Sequence, residues 1–186
     1  MTPGRLLKAK VCLVGEAAVG KTSLIRRYVL DQFADSYLMT LQAKVSKKVM
    51  DVPIPPEGTL ASIEMAVWDI MGQHRFRELL SESYFQGVSG ILAVTDMTRR
   101  QTLKGLYEWI DRVDSVSSQA PIVVVANKAD LFKAAQLTEA DIAQLAQAVH
   151  AEYVITSAKT GENVEQAFRL LGVRIAEQSL KAPHVA

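Results

Sequence analysis

Cysteine is almost missing from this sequence: there is one, Cys12, in 186 residues. That excludes an intrachain disulfide and a cysteine-based zinc cluster, and it fits a reducing, cytoplasmic setting. An excess of either charge is also missing. Lys plus Arg number 21 and Asp plus Glu 20, a formal net charge of +1. A chain that wraps nucleic acid usually carries a strong basic excess, so no nucleic-acid partner is expected. Long apolar runs are missing too. The densest, around Val11 to Val14, Gly90 to Val94 and Ile122 to Ala126, are strand-sized and fall far short of the roughly 18 residues a membrane span needs. The first ten residues, MTPGRLLKAK, contain no signal-peptide core, and the last seven, LKAPHVA, contain no cysteine to prenylate, so no lipid anchor is expected on this chain.

A hydrophobic content of 49% argues against disorder. A chain this long can bury roughly 70% of its unfolded surface, so it needs no disulfide or structural metal. The expectation is one domain over residues 1–186, as a monomer.

The apolar runs alternate with helical patterns, the mark of an α/β fold with a mostly parallel sheet. A strand over Lys10 to Val14 runs through a glycine-bearing turn into a helix over Lys21 to Leu30. Asp31 to Leu41 reads as an exposed loop. Ala43 to Val52 and Thr59 to Asp69 alternate apolar and polar residues and read as a hairpin. Its turn, Pro53 to Gly58, holds three prolines and a glycine and is expected outside the ladder. Gly90 to Thr95 and Pro121 to Ala126 are dense strands of the buried kind. Thr138 reads as an N-cap with an acidic first turn. A strand over Glu152 to Ile155 precedes an amphipathic helix over Val164 to Leu180.

Gly15-Glu16-Ala17-Ala18-Val19-Gly20-Lys21-Thr22-Ser23 matches G-x-x-x-x-G-K-S/T, directly after a strand and opening a helix. The two glycines let the backbone curl so that successive N–H groups face a polyphosphate, and the helix adds its positive dipole end. Lys21 supplies a full charge to the β- and γ-phosphates, and Thr22 a hydroxyl to Mg²⁺. Asn127-Lys128-Ala129-Asp130 follows the Pro121 to Ala126 strand. The Asp130 carboxylate can accept from the N1–H and the 2-amino group of guanine, a donor pair that adenine lacks. Ser157-Ala158-Lys159 follows the next strand; the Ala158 N–H can donate to the guanine 6-oxo group, and Lys128 can lie along the base.

Trp68-Asp69-Ile70-Met71-Gly72-Gln73 ends a strand. Asp69 can hold Mg²⁺, the Gly72 N–H can reach the γ-phosphate, and Gln73 can orient an attacking water. Thr40 can give a second hydroxyl to Mg²⁺ and its N–H to the γ-phosphate. These contacts last only while the third phosphate is present, which makes an order–disorder switch of residues 31–43 (switch I) and 69–78 (switch II). Cys12 reads as a small core residue, His74 as a solvated loop histidine, Tyr107 and Trp109 as a helix face, and Arg99 and Arg100 as solvated loop residues.

The motifs GEAAVGKTS, FADSYLMT, WDIMGQHRF, VTDMTRRQTL, NKAD and TSAKTGENV, in this order and spacing, make the chain resemble a small Ras-superfamily GTPase, most strongly of the Rab branch. The likeness runs from about Lys8 to Leu180. It implies a P-loop three-layer sandwich, a six-stranded sheet with one antiparallel strand flanked by five helices. It also implies that Phe33 stacks on guanine, that Tyr37 covers the phosphates, and that effectors, an exchange factor and a GTPase-activating protein are partners. The chain departs from the family at Ala17, Ala18, Met71 and Gln42 and in the long PIPPEG turn. Ala17 and Met71 leave open a binding module with little hydrolysis, and a P-loop kinase is a third reading.

Overall fold

The computed structural model describes residues 6–34, 44–54, 59–70, 84–117 and 119–181. The elements run β1 (Leu6–Val14), α1 (Lys21–Leu30), β2 (Lys44–Ile54), β3 (Thr59–Asp69), β4 (Gly90–Asp96), α2 (Arg100–Val116), β5 (Ile122–Asn127), a 3₁₀ helix (Ala129–Ala134), α3 (Glu139–Ala148), β6 (Glu152–Ile155) and α4 (Val164–Lys181). The sheet has six strands in the order β2-β3-β1-β4-β5-β6. β2 pairs antiparallel with β3, and the other pairings are parallel.

Period-two alternation explains the two cores. Along β1, Val11 and Leu13 face one side with Leu92, Val94, Val123 and Val125. Cys12 and Val14 face the other with Ile91, Ala93, Val124 and Ala126. Both faces are covered, so these strands read as unbroken apolar runs. The first face carries α1 and α4, through Leu24, Ile25 and Tyr28 and through Phe168, Leu171 and Ile175. Tyr28 and Phe168 stack with ring centroids 3.8 Å apart. The second face carries α2 and α3, through Leu106, Trp109, Ile142 and Leu145. Trp109 is buried as the helix-face reading requires, while Tyr107 on the same helix stays exposed. Cys12 is fully buried, and burial pushes its thiol up to about 12, so it is an inert core residue.

Strand boundaries differ from expectation in one instructive place. Pro53 and Ile54 belong to β2, opposite Leu60 and Thr59. β2 is an edge strand, and a proline's missing N–H removes no ladder bond on the open side of an edge. The helix at Glu139 starts as expected: Thr138 Oγ1 accepts from the Asp141 N–H, and the Asp141 carboxylate accepts from the Thr138 N–H, a reciprocal capping box.

Topology and register then set the site. The chain leaves β1 toward β3 on one side and β4 on the other, so the end of β1 is a topological switch point, where open α/β sheets bind ligands. Parallel pairing places Leu13 beside Asp69 and Asp96 beside Asn127. The carboxyl ends of β1, β3, β4 and β5 thus carry the predicted motifs to one edge.

Candidate functional site

The turn between β1 and α1 is shaped by residues that only glycine can replace. Gly15 has φ +137° and Gly20 φ +103°. A Cβ on Gly15 would lie 2.2 Å from Val94 O, and one on Gly20 2.2 Å from Asn127 Nδ2. Ala18 adopts a left-handed φ of 61° between them. Glu16, Ala17 and Ala18 line the partly exposed outside of the turn, and Val19 is fully buried beneath it. No side chain caps the start of α1, and its first turn holds no acidic residue. A helix N-terminus so arranged favours an anion. Ser23 sits half-buried in that first turn.

Lys21 folds back over the turn and donates to Gly15 O at 2.7 Å and Glu16 O at 2.9 Å. Burial lowers its pKa to about 8; the nearby Asp69 carboxylate opposes the shift and the Arg99 guanidinium adds to it. A buried cation of this kind is stabilised by an incoming anion.

Thr22 Oγ1 donates to Asp69 Oδ2 at 2.6 Å. Asp69 Oδ1 is buried with no hydrogen-bond partner among the described residues. Burial raises the Asp69 pKa, against the pull of the Thr22 hydroxyl, Lys21, Arg26 and Lys44. A hydroxyl that gives its hydrogen away keeps lone pairs for a cation, and an unpartnered buried carboxylate oxygen is a hard-ion ligand. The pair therefore fits Mg²⁺, with further ligands drawn from bound phosphates.

The Asn127 side chain is buried and joins loops. Its Nδ2 donates to Val19 O at 3.0 Å, and its Oδ1 accepts from the Ala158 N–H at 3.0 Å and from Thr156 Oγ1 at 3.3 Å. The Ala158 N–H expected to meet a guanine 6-oxo group is thus directed at Asn127, and a base must share that donor. Asp130 Oδ1 accepts from Ser157 Oγ at 2.6 Å, which holds its carboxylate over the Ser157-Ala158-Lys159 loop. Lys159 lies exposed on that loop. Lys128, at φ 72°, directs its Nζ to Asp96 Oδ2 at 2.6 Å.

Phe33 is half-buried and packs against the α1-side core. Thr40, Tyr37, Gly72, Gln73, and likewise Gln42, Met71 and His74, lie outside the described residues.

Three residues escaped the sequence reading. Arg27 on α1 donates from Nε to Ala158 O at 3.0 Å and from Nη2 to Lys159 O at 2.7 Å, so the phosphate helix holds the base loop from below. Asp96 is fully buried and holds four donors. Arg99 is not a solvated loop residue: Nε pairs with Asp96 Oδ2 at 2.9 Å and Nη2 donates to Ala17 O at 2.9 Å. The expectation failed because a buried carboxylate three residues away recruits the guanidinium inward. Arg100 does remain half-exposed, paired with Asp141. Nothing in local spacing signals Arg27 or Arg99; only Asp96, a charge ending a buried apolar strand, is conspicuous in the sequence.

A glycine-built phosphate loop at the switch point of a mostly parallel sheet defines a P-loop nucleotide-binding α/β protein. The sequence model of the Ras family matches residues 10–177. The chain is 34% identical over 172 residues to Ras-related protein Rab-21 of Geodia cydonium, covering 92% of this chain and 72% of that protein. It is 31% identical over 175 residues to Ras-related protein RABD2a of Arabidopsis thaliana, covering 94% and 83%. The chain belongs to the Ras family and is a Rab-like small GTPase.

Proposed function

We propose that this GTPase is a molecular switch that binds GTP or GDP with Mg²⁺, slowly hydrolyses GTP to GDP and phosphate, and signals the bound nucleotide to effector proteins through residues 31–43 and 69–78. The observation that carries the reading is the Asn127 bridge between Val19 and Ala158. It holds a phosphate loop and a base loop at one sheet edge, so a single nucleotide can span both. Backbone N–H groups of residues 16–23 and Lys21 take the phosphates. Asp130 takes the guanine N1–H and 2-amino group, with Lys128, Ser157, Ala158 and Lys159 forming the rest of the base pocket. Phe33, whose ring is half-buried against the core, and Tyr37 close over base and phosphates. Thr22, Asp69 and Thr40 hold Mg²⁺, which neutralises phosphate charge when bound.

In hydrolysis Gln73 orients the water that attacks the γ-phosphate in line, while Lys21 and the loop N–H groups stabilise the developing charge. The Gly72 N–H and Thr40 sense the third phosphate. Residues 31–43 contain no Arg or Lys, so that loop lacks an arginine finger, a device worth roughly 10³–10⁵ in rate. Unaided turnover is therefore slow, and an activating protein and an exchange factor complete the cycle. Among the described residues no helix is long and apolar enough to cross a membrane; a cytoplasmic protein of one domain, acting as a monomer, is the proposal.

Single-turnover hydrolysis of pre-bound GTP tests it. The purified protein should lose the γ-phosphate slowly, and Gln73→Ala should slow the loss at least roughly tenfold. A rate unchanged by the substitution, or turnover near one per second without a partner, would exclude the proposed mechanism.

A further inference from the structure

Arg99 stands where β4 turns into α2, and its backbone is fixed before its side chain reaches anything. Its carbonyl accepts from the Thr102 N–H at 3.0 Å and from Thr102 Oγ1 at 2.7 Å. Thr102 Oγ1 in turn lies 2.8 Å from Thr95 Oγ1 and accepts from the Asp96 N–H at 2.9 Å, both in buried surroundings. From this base the guanidinium forks. One nitrogen meets the buried Asp96 carboxylate and another the Ala17 carbonyl of the phosphate loop.

The Asp96 carboxylate is fully occupied. Oδ1 accepts from the Thr98 N–H and the Thr98 hydroxyl, at 2.9 and 2.7 Å. Oδ2 accepts from Arg99 Nε and from Lys128 Nζ. Burial alone would raise the Asp96 pKa, yet these donors hold it below the usual carboxylate range. A well-packed apolar cluster would stabilise this position as well as a buried charge network does, so stability alone gives no reason for it. What the network adds is direction. It runs without a break from Ala17 O through Arg99 and Asp96 to Lys128.

We propose that Arg99 is a positioning residue of the nucleotide site, which fixes the outer wall of the phosphate loop at Ala17 and ties it through Asp96 to the base-reading loop at Lys128. The inference rests on the nucleotide-binding reading above. A trans peptide sets its C=O and N–H antiparallel. Holding Ala17 O on the Arg99 side therefore aims the Ala18 N–H the other way. Ala18 pays for that orientation with a left-handed φ of 61°, a conformation alanine avoids when nothing holds it. Arg99 supplies the hold. It also stands close enough to Lys21 to act on that ammonium's charge, so it contributes positive potential to the same loop. This strut is separate from the Asn127–Val19 bond, so among the described residues the two loops are tied through Ala17 as well as through Val19.

Lysine cannot substitute. Its single ammonium can satisfy Asp96 or Ala17 O but does not present the planar fork that meets both. The test loads full-length protein with GDP and reads two quantities: the release rate of a fluorescent GDP analogue, and the ³¹P resonance of the β-phosphate of bound GDP. Arg99→Ala and Arg99→Lys should each release GDP on the order of tenfold faster, the loss expected for one charge-assisted hydrogen bond, and each should move the β-phosphate resonance. Arg100→Ala, whose exposed side chain pairs with Asp141 instead, should change neither. Should Arg99→Ala fail to fold, Arg99→Lys decides, because it keeps a cation beside Asp96. Wild-type release rates and an unmoved resonance in both variants would overturn the proposal while leaving GDP binding intact. Faster release with an unmoved resonance would overturn it as well, by assigning Arg99 to stability alone. Failure of the wild-type protein itself to bind GDP would instead count against the nucleotide-binding reading.

Discussion

Replacing Asn127 with alanine removes three hydrogen bonds at once, to Val19 O, the Ala158 N–H and Thr156 Oγ1. All three lie in buried surroundings, and Asn127 itself is 1% exposed. A typical intramolecular hydrogen bond contributes a net ~0.5–1.5 kcal/mol, but a buried group left without a partner costs ~1–3 kcal/mol. The Val19 carbonyl and the Ala158 N–H both belong to the second case, because each sits in the wall between two loops. The loss in stability should therefore be about 2–6 kcal/mol, toward the upper end if water cannot reach the vacated space. Urea unfolding of the nucleotide-free protein measures it as a lower midpoint at unchanged slope. The same change should weaken GDP binding, although the asparagine need not touch the phosphates, because the two loops are no longer held in register. A stability loss below about 0.5 kcal/mol, the range of ordinary surface substitutions, would show that the bridge does not hold the loops together and would remove the main support for one nucleotide spanning them.

Other perturbations follow from the same geometry. Gly15→Ala brings a Cβ to 2.2 Å from Val94 O at φ +137°; the neighbour is backbone in a buried strand and cannot swing aside, so unfolding should show a destabilisation of roughly 2 kcal/mol or more. Asp96 has a depressed folded-state pKa, so its contribution is present above the unfolded carboxylate range near ~4 and is lost as pH falls through the folded value. The stability of Asp96→Asn measured by urea should accordingly fall less between pH 5 and pH 2 than that of the wild type, within the roughly acid window where that carboxylate protonates, and equal slopes would refute the assignment. Asp69→Asn removes a buried carboxylate whose burial is unfavourable; the nucleotide-free variant should be at least as stable as wild type, while its GDP release should no longer accelerate when EDTA removes Mg²⁺, as wild-type release should.

Much of this was legible in the chain because the signals are local. The strand–turn–helix around Gly15 to Ser23 contains its own explanation, in two glycines that the backbone needs and a lysine the helix presents. Thr138 and the acidic turn after it mark a helix start from local spacing alone, and the structure closes Thr138 and Asp141 into a capping box. The continuous apolar runs at β4 and β5 announced burial on both faces. The strand position of Pro53 is not legible in the sequence, because a proline says what it cannot donate, not which side of a strand is open, and the edge position of β2 is decided by the whole sheet. The ties that make the site one unit were not legible at all. Arg27 with Ala158, Arg99 with Ala17 and Asn127 with Val19 join residues separated by 131, 82 and 108 positions. No periodicity links such positions; parallel register brings them together only after the sheet has formed. The Asn127 motif is legible in the sequence as part of a nucleotide site, but its bond to Val19 is not, and that bond explains why glycine is required at position 20 as well.

In the proposed site a phosphate loop and a guanine-reading carboxylate serve one ligand. The most direct measurement compares the affinities of the wild-type protein and Asp130→Ala for GDP and ADP at fixed Mg²⁺ by isothermal titration. Wild type should prefer GDP by at least about 10⁴, the discrimination a site gains when its polar groups are matched only by the right base, and Asp130→Ala should collapse this preference mainly by losing GDP affinity. Comparable affinities of the wild-type protein for GDP and ADP would contradict that reading of the site.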